Sequence, residues 1–251
     1  MKSRHAFTLI ELLVVIAVIA ILMAILTPAL ARAREQAKKV VCTAHVKGLG
    51  VSMRLYVDDY GGKTHNSPNY GLWDNAYEGG KTVIQFGPND AMAYWGIAYY
   101  PYAPSKKIFR CPSTKRVDDW PEDGWGYPYQ EYFKYCTYGL NGYIKNKKVD
   151  HVFKKQAETI IFQDHIEQLL EVTTDSFTVS QGASVNLTQW RPGSSLVTTY
   201  WRDHDTVQEC YRHANTSMTV WLDGHVSSIK RSDGEDVPRH WYTGKSTDTE
   251  W

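Results

Sequence analysis

The sequence predicts an α+β fold. One long N-terminal helix, its first half able to span a membrane, packs by its second half on an antiparallel sheet within a loop-rich aromatic head. Three observations predict it. Residues 7–26 form a 20-residue apolar stretch broken by one charge, Glu11. Helical periodicity then continues to about Tyr60. Beyond Gly62, short apolar runs alternate with Gly, Pro, Asn and Asp, and 30 of the chain's 33 aromatic residues lie after residue 60. The expected organisation is a leader at 1–6, a membrane and assembly helix at 7–27, an amphipathic continuation at 28–60 and a globular head at 61–251.

The apolar stretch comes first. Twenty residues at a rise of about 1.5 Å cover the roughly 30 Å hydrocarbon core of a bilayer. A carboxylate within such a segment costs about 2.5–3.5 kcal/mol on insertion scales, so Glu11 needs a partner. An ordinary signal peptide is cut after its apolar run, at small residues. Here the small residue, Ala6, precedes the run. A cut between Ala6 and Phe7 leaves the new Phe7 ammonium four residues from Glu11. Glu11 then pairs with the ammonium of a neighbouring copy, where lipid makes charge pairing strong. Lys2 and Arg4, with no acid in the leader, place the N-terminus in the cytoplasm, with the head on the far side of a single span.

From Ala29 onward, Leu30, Ala33, Ala37, Val40, Val41, Ala44, Val51 and Leu55 recur at helical spacings, with Arg32, Arg34, Lys38, Lys39 and Lys47 on the other side. The basic side is either a solvated helix surface or a filament contact. Pro28 removes a hydrogen bond and is an expected kink. Gly48 and Gly50 each weaken the helix by about 1 kcal/mol relative to Ala. Asp58-Asp59-Tyr60-Gly61-Gly62 is the expected stop.

In the head, residues 81–86, 159–162, 176–180, 196–201, 218–222 and 225–229 have strand character. Residues 94–100 fit either strand or helix. Residues 117–129 are an expected loop. Asp223-Gly224 between two strands signals a two-residue hairpin with positive φ at both turn positions.

With 251 residues, the chain has ample length for one core after the helix is set aside. A net charge of +1 gives no case for nucleic acid. Four cysteines, Cys42, Cys111, Cys136 and Cys210, permit two disulfides with three connectivities, or remain buried thiols. His204, Asp205, Cys210, His213 and His225 cluster in sequence, but no paired-cysteine or HExxH spacing supports zinc, and they are expected at turns and surfaces. Asp118, Asp119, Glu122 and Asp123 offer calcium-type oxygens, with a solvated acidic loop the expected reading; no cofactor is otherwise expected. Asp164-His165 lies at a strand end, and Asn186-Leu187-Thr188 fits a glycosylation sequon, expected by chance. No nucleophile elbow, P-loop or dinucleotide fingerprint is present, and no enzyme activity is expected. Trp73, Trp95, Trp120, Trp125, Trp190, Trp201 and Trp241 are expected mainly in the core, with glycan stacking the alternative for any that are exposed.

Phe7-Thr8-Leu9-Ile10-Glu11, followed by Leu12-Leu13-Val14-Val15-Ile16-Ala17, resembles the cleavage and methylation segment of type IV prepilins and type II secretion pseudopilins. The resemblance implies removal of the leader by a prepilin peptidase, N-methylation of Phe7 and polymerisation with other copies through the apolar helix. Glu11 and Pro28 match the family's assembly glutamate and mid-helix proline. One departure stands at the cut, where the family carries Gly and this chain has Ala6. Residues 213–224, bounded by His213 and Asp223-Gly224, resemble the H-x9-DG element of pseudopilin-like proteins. Phe109-Arg110-Cys111-Pro112-Ser113 and Tyr138-Gly139-Leu140-Asn141-Gly142 fit the same group. That likeness implies a Cys42–Cys111 disulfide, with Cys136 and Cys210 left over.

Overall fold

The computed structural model describes residues 8–65, 75–78, 81–84, 95–114, 137–141, 144, 146–152, 155–164, 208, 210–231 and 240–244. The expected loop at 117–129 and the expected strands at 176–180 and 196–201 lie outside them.

Helix α1 runs unbroken over Leu9–Asp59, 51 residues and about 76 Å at the α-helical rise. Thr8 caps it. The Thr8 hydroxyl accepts the Glu11 N–H while the Glu11 carboxylate accepts the Thr8 N–H, so two of the free donors at the helix start are satisfied reciprocally. Pro28 sits inside the helix without ending it. One residue earlier, the Thr27 hydroxyl donates to the Met23 carbonyl at 2.7 Å, adding a side-chain bond beside the one proline removes. The stop is where the sequence places it. Gly61 and Gly62 take positive φ, and the Gly62 N–H donates back to the Val57 carbonyl at 2.8 Å, closing a Schellman-type cap.

Two short strands, β1 (Asn75–Glu78) and β2 (Lys81–Ile84), pair antiparallel. β1 had no sequence expectation, because four residues without alternation carry no period. The ambiguous segment at 94–100 resolves as helix, with α2 at Gly96–Tyr99 running into 3-10 turns at Tyr100–Tyr102 and Lys106–Phe109. A four-stranded antiparallel sheet follows, in the order β3 (Tyr138–Leu140), β4 (Ile160–Asp164), β5 (Thr216–Trp221) and β6 (Val226–Lys230). Two short helices, α3 (Val149–Val152) and α4 (His240–Thr243), are also present, α4 lying against β4. The register sets Tyr138 opposite Asp164, Gln163 opposite Thr219, and Val220 opposite Val226.

The second half of α1 lies on β4, β5, β6 and the α2 region. Its buried face is Cys42, Val46, Leu49, Met53 and Tyr56, spaced four, three, four and three. This corrects the stripe the periodicity first suggested, since Leu30, Val40, Val41, Val51 and Leu55 all remain exposed. The helix is apolar on two faces, and only contact with the sheet selects between them. Against the buried face stand Trp95, Tyr99, Phe109, Leu140, Phe162 and Val220. The Trp95 ring stacks on Phe162 at 4.8 Å and 22°, and Tyr99 meets Phe162 edge-on at 5.7 Å.

Gly50 permits this approach, and Gly48 does not limit it. A Cβ on Gly50 would lie 2.8 Å from Val220 Cγ1, whereas one on Gly48 would meet Ile108 at an ordinary 3.4 Å. The cost of glycine inside a helix is thus the condition for close helix–sheet packing. Gly50→Ala gains about 1 kcal/mol of helix propensity but overpacks by about 1–3 kcal/mol, so it lowers the thermal midpoint. Gly48→Ala leaves the midpoint unchanged or raises it. Circular dichroism melts of the full chain in detergent check both, and a more stable Gly50→Ala protein contradicts the packing account.

Candidate functional site

Two regions of the described structure concentrate polar groups in apolar surroundings. The first is the start of α1. Leu9, Ile10, Leu12, Leu13, Ile16, Ile19, Leu22, Ile25 and Leu26 are all exposed, and the helix is long and apolar enough to cross a membrane. Glu11 is the only acid there. Its Oε2 accepts from the Thr8 N–H at 2.8 Å and the Thr8 hydroxyl at 2.7 Å. The carboxylate therefore turns back toward the helix start, where the helix dipole favours negative charge. Ala6 and Phe7 lie outside the described residues.

The second region is buried where α1 meets the sheet. Cys42 comes from α1, Cys111 from the segment after the Lys106–Phe109 turn, Asp164 from the end of β4 and His213 from just before β5. One ligating atom of each lies within 4.8 Å of all the others, and all four are buried. The Cys111 Sγ sits 3.1 Å from His213 Nε2. The Cys42 Sγ is 3.7 Å from Asp164 Oδ1 and 3.3 Å from the Tyr138 hydroxyl. His213 Nε2 is 3.9 Å from Asp164 Oδ2. Around them, the Met218 N–H donates to Asp164 Oδ2 at 2.8 Å, and the Ser113 N–H to Cys111 Sγ at 3.4 Å. Arg212 places its Nε 3.5 Å from Asp164 Oδ1 and donates from its guanidinium to the Thr137 carbonyl at 2.8 Å.

The electrostatics follow from burial. Burial raises the Cys42 thiol, and Cys111 and Asp164 raise it further. Burial also works to raise Cys111, but the Cys42 hydrogen bond, the Arg212 guanidinium and His213 together outweigh it and hold that thiol well below its usual range. Burial pushes Asp164 up to about 7 against the pull of Arg212, with Cys111 adding to the rise. Burial raises Tyr138 as well, with the two cysteines and Asp164 adding to it. The two thiols are thus pushed in opposite directions, Cys42 up and Cys111 down. The cluster's donor set of two sulfurs, one imidazole and one carboxylate is of the kind that binds a soft divalent metal.

The other expected residues disperse. Asp223 and Gly224 lie at the far end of β5 from His213. The loop there has three residues, Leu222 to Gly224, not two. The Gly224 N–H donates to the Trp221 carbonyl at 2.8 Å and the Trp221 N–H to the His225 carbonyl at 3.0 Å. Gly224 alone takes positive φ, +89°, which is the geometry of a turn followed by a G1 bulge. Asp223 Oδ1 accepts the His225 N–H at 3.0 Å and lies 2.6 Å from His225 Nδ1. The nine residues between His213 and Asp223 therefore span a sheet strand from a buried cluster to a surface turn.

The sequence cluster of His204, Asp205, Cys210, His213 and His225 does not assemble. His213 and His225 lie at opposite ends of β5, and Cys210 is a separate buried thiol. His204 and Asp205 lie outside the described residues, as do Asp118, Asp119, Glu122, Asp123, His165, Asn186 and Cys136. Cys42 and Cys111 come together as the resemblance implied, but as free thiols. Trp95 is in the core, and Trp241 packs edge-on to the buried Trp221 at 5.1 Å. Trp73, Trp120, Trp125, Trp190 and Trp201 lie outside the described residues. Asp164 and Tyr138 are the members of the cluster that spacing did not suggest. Their sequence signal was only the Tyr138-Gly139-Leu140-Asn141-Gly142 stretch and an acid at a strand end.

Asp164→Ala leaves the buried Arg212 without its carboxylate and the Met218 N–H without its acceptor, at a cost of about 3–5 kcal/mol. The urea midpoint of the full chain should fall accordingly. Gly224→Ala places a side chain at positive φ and costs about 1 kcal/mol or more. The same titration reads it. An unchanged midpoint contradicts the buried-pair role of Asp164 in the one variant and the turn role of Gly224 in the other.

Comparison with known proteins supports the first region. The family described as the prokaryotic N-terminal methylation motif matches residues 1–27. The type IV wide pilus major component PilA4 of Thermus thermophilus is 44% identical over 66 residues, 26% of this chain and 50% of that protein. The chain thus spans about half the length of the curated relative it matches. No solved structure matches. An apolar helix opening on a methylation motif, with an antiparallel sheet packed on its second half, is similar to a type IV prepilin.

Proposed function

We propose that this chain is a subunit of a type IV pilus or type II secretion pseudopilus-like filament, anchored in the cytoplasmic membrane before assembly. A prepilin peptidase cuts between Ala6 and Phe7 and the new N-terminus is methylated. The carrying observation is the exposure of the first half of α1. From Leu9 to Leu26 its apolar side chains have no cover within the described residues. An apolar surface of that extent requires lipid or neighbouring copies. The methylation motif and the pilus relative support neighbouring copies as the final cover.

Glu11 is the registration point. In the isolated chain its carboxylate is held by Thr8. In the filament it accepts the methylated Phe7 ammonium of an adjacent copy, so a charge that is costly in lipid becomes a charge pair. The outward face of the second half of α1, with Val40, Val41, Val51 and Leu55 exposed, extends the contact beyond the membrane segment. The basic flank is partly engaged within the chain. Lys38 pairs with Glu35 at 2.7 Å, and Lys39 donates to the Thr216 hydroxyl at 3.3 Å.

Mass spectrometry of protein from its native host should find a mature N-terminus at methylated Phe7. An intact Met1, or a cut after Leu26, removes the reading. Glu11→Leu should insert and reach the membrane normally while sheared filament yield falls at least about tenfold. Normal filaments from that variant overturn the pairing role.

A further inference from the structure

We propose that Cys42, Cys111, Asp164 and His213 form a buried tetrahedral site for a zinc-class divalent ion that clamps the long helix to the sheet. This does not depend on filament assembly.

The geometry fits such an ion. Zinc with sulfur at about 2.3 Å and nitrogen or oxygen at about 2.0–2.2 Å sets its ligands roughly 3.3–3.8 Å apart at tetrahedral angles. The separations here are 3.1 Å between Cys111 Sγ and His213 Nε2, 3.7 Å between Cys42 Sγ and Asp164 Oδ1, and 3.9 Å between His213 Nε2 and Asp164 Oδ2. One ligating atom of each residue lies within 4.8 Å of the others, so shifts of about an ångström bring the four onto one centre. Four protein ligands leave no open position, which is the form of a structural site rather than a catalytic one.

The charge also closes. Metal binding displaces whatever protons the two thiols still carry and releases them to solvent as the two metal–sulfur bonds form. Two thiolates and the Asp164 carboxylate then carry three negative charges in a buried space. Arg212 beside Asp164 and a divalent ion carry three positive ones. The surrounding donors suit the anionic ligands. Tyr138 lies within hydrogen-bond reach of Cys42, the Ser113 N–H donates to Cys111 and the Met218 N–H to Asp164.

The four ligands come from α1, the segment after residue 109, β4 and the approach to β5. One ion would therefore join the helix to three distant stretches of the head. In sequence the ligands lie 69, 53 and 49 residues apart, so no short spacing announces them.

The test uses the full chain in detergent, reduced and stripped with chelator, then titrated with cobalt(II) and with zinc(II). Expected are one bound equivalent, a thiolate-to-cobalt charge-transfer band that zinc abolishes, and a thermal midpoint about 10 °C higher with metal. His213→Gln and Asp164→Asn, each close to the native shape, should weaken cobalt binding by about 100-fold or more, while Cys136→Ser and Cys210→Ala leave it intact. The thermal shift of the unaltered chain reads the site even if a ligand variant fails to fold. Three outcomes overturn the proposal: no cobalt uptake by reduced, folded protein; uptake that survives loss of both Cys42 and Cys111; or a native Cys42–Cys111 disulfide whose reduction yields no metal-binding form.

Discussion

Cys42, Val46, Leu49, Met53 and Tyr56 hold a whole head onto one face of one helix, and this half-coverage of α1 is the constraint from which the rest follows. A 51-residue helix cannot bury itself. Where the sheet covers it, the helix is fixed by aromatic packing and by Gly50, which allows close approach. Where the sheet ends, nothing among the described residues replaces it, and the apolar side chains from Leu9 onward stand exposed. The same element is thus a core helix at one end and an unfinished interface at the other.

The two ends place their polar groups by the same rule. Glu11 in the apolar half and the Asp164 cluster in the packed half both put charge where water is scarce. Glu11 is held locally, by the residue three positions earlier, and so stays available to another molecule. Asp164 is held by groups from distant segments, Arg212 and the Met218 N–H, and so closes the fold on itself. On the proposed function, one charge looks outward to assembly and the other inward to stability.

The strand from His213 to Asp223 ties these features together. Its first end enters the buried cluster, its middle packs Val220 against Gly50, and its last end turns at Gly224. The nine residues between the histidine and the Asp-Gly pair therefore hold the six-residue strand β5 and its short flanks. Inserting or deleting one residue within β5 would flip the faces that its side chains meet beyond that point.

The sequence alone determined the features that rest on local rules. An apolar run broken by one acid marked a helix long enough to cross a membrane, and the Asp-Tyr-Gly-Gly stop marked the helix end. An Asp-Gly pair between strand-like runs marked the hairpin. Composition change placed the head after residue 60. Tertiary structure alone decided which of two apolar faces of α1 is buried, because periodicity cannot rank faces that are both apolar. It also decided that the turn has three residues and that Cys42, Cys111, Asp164 and His213 meet. Those four are widely separated along the chain, and only the sheet register and the helix contact bring them together.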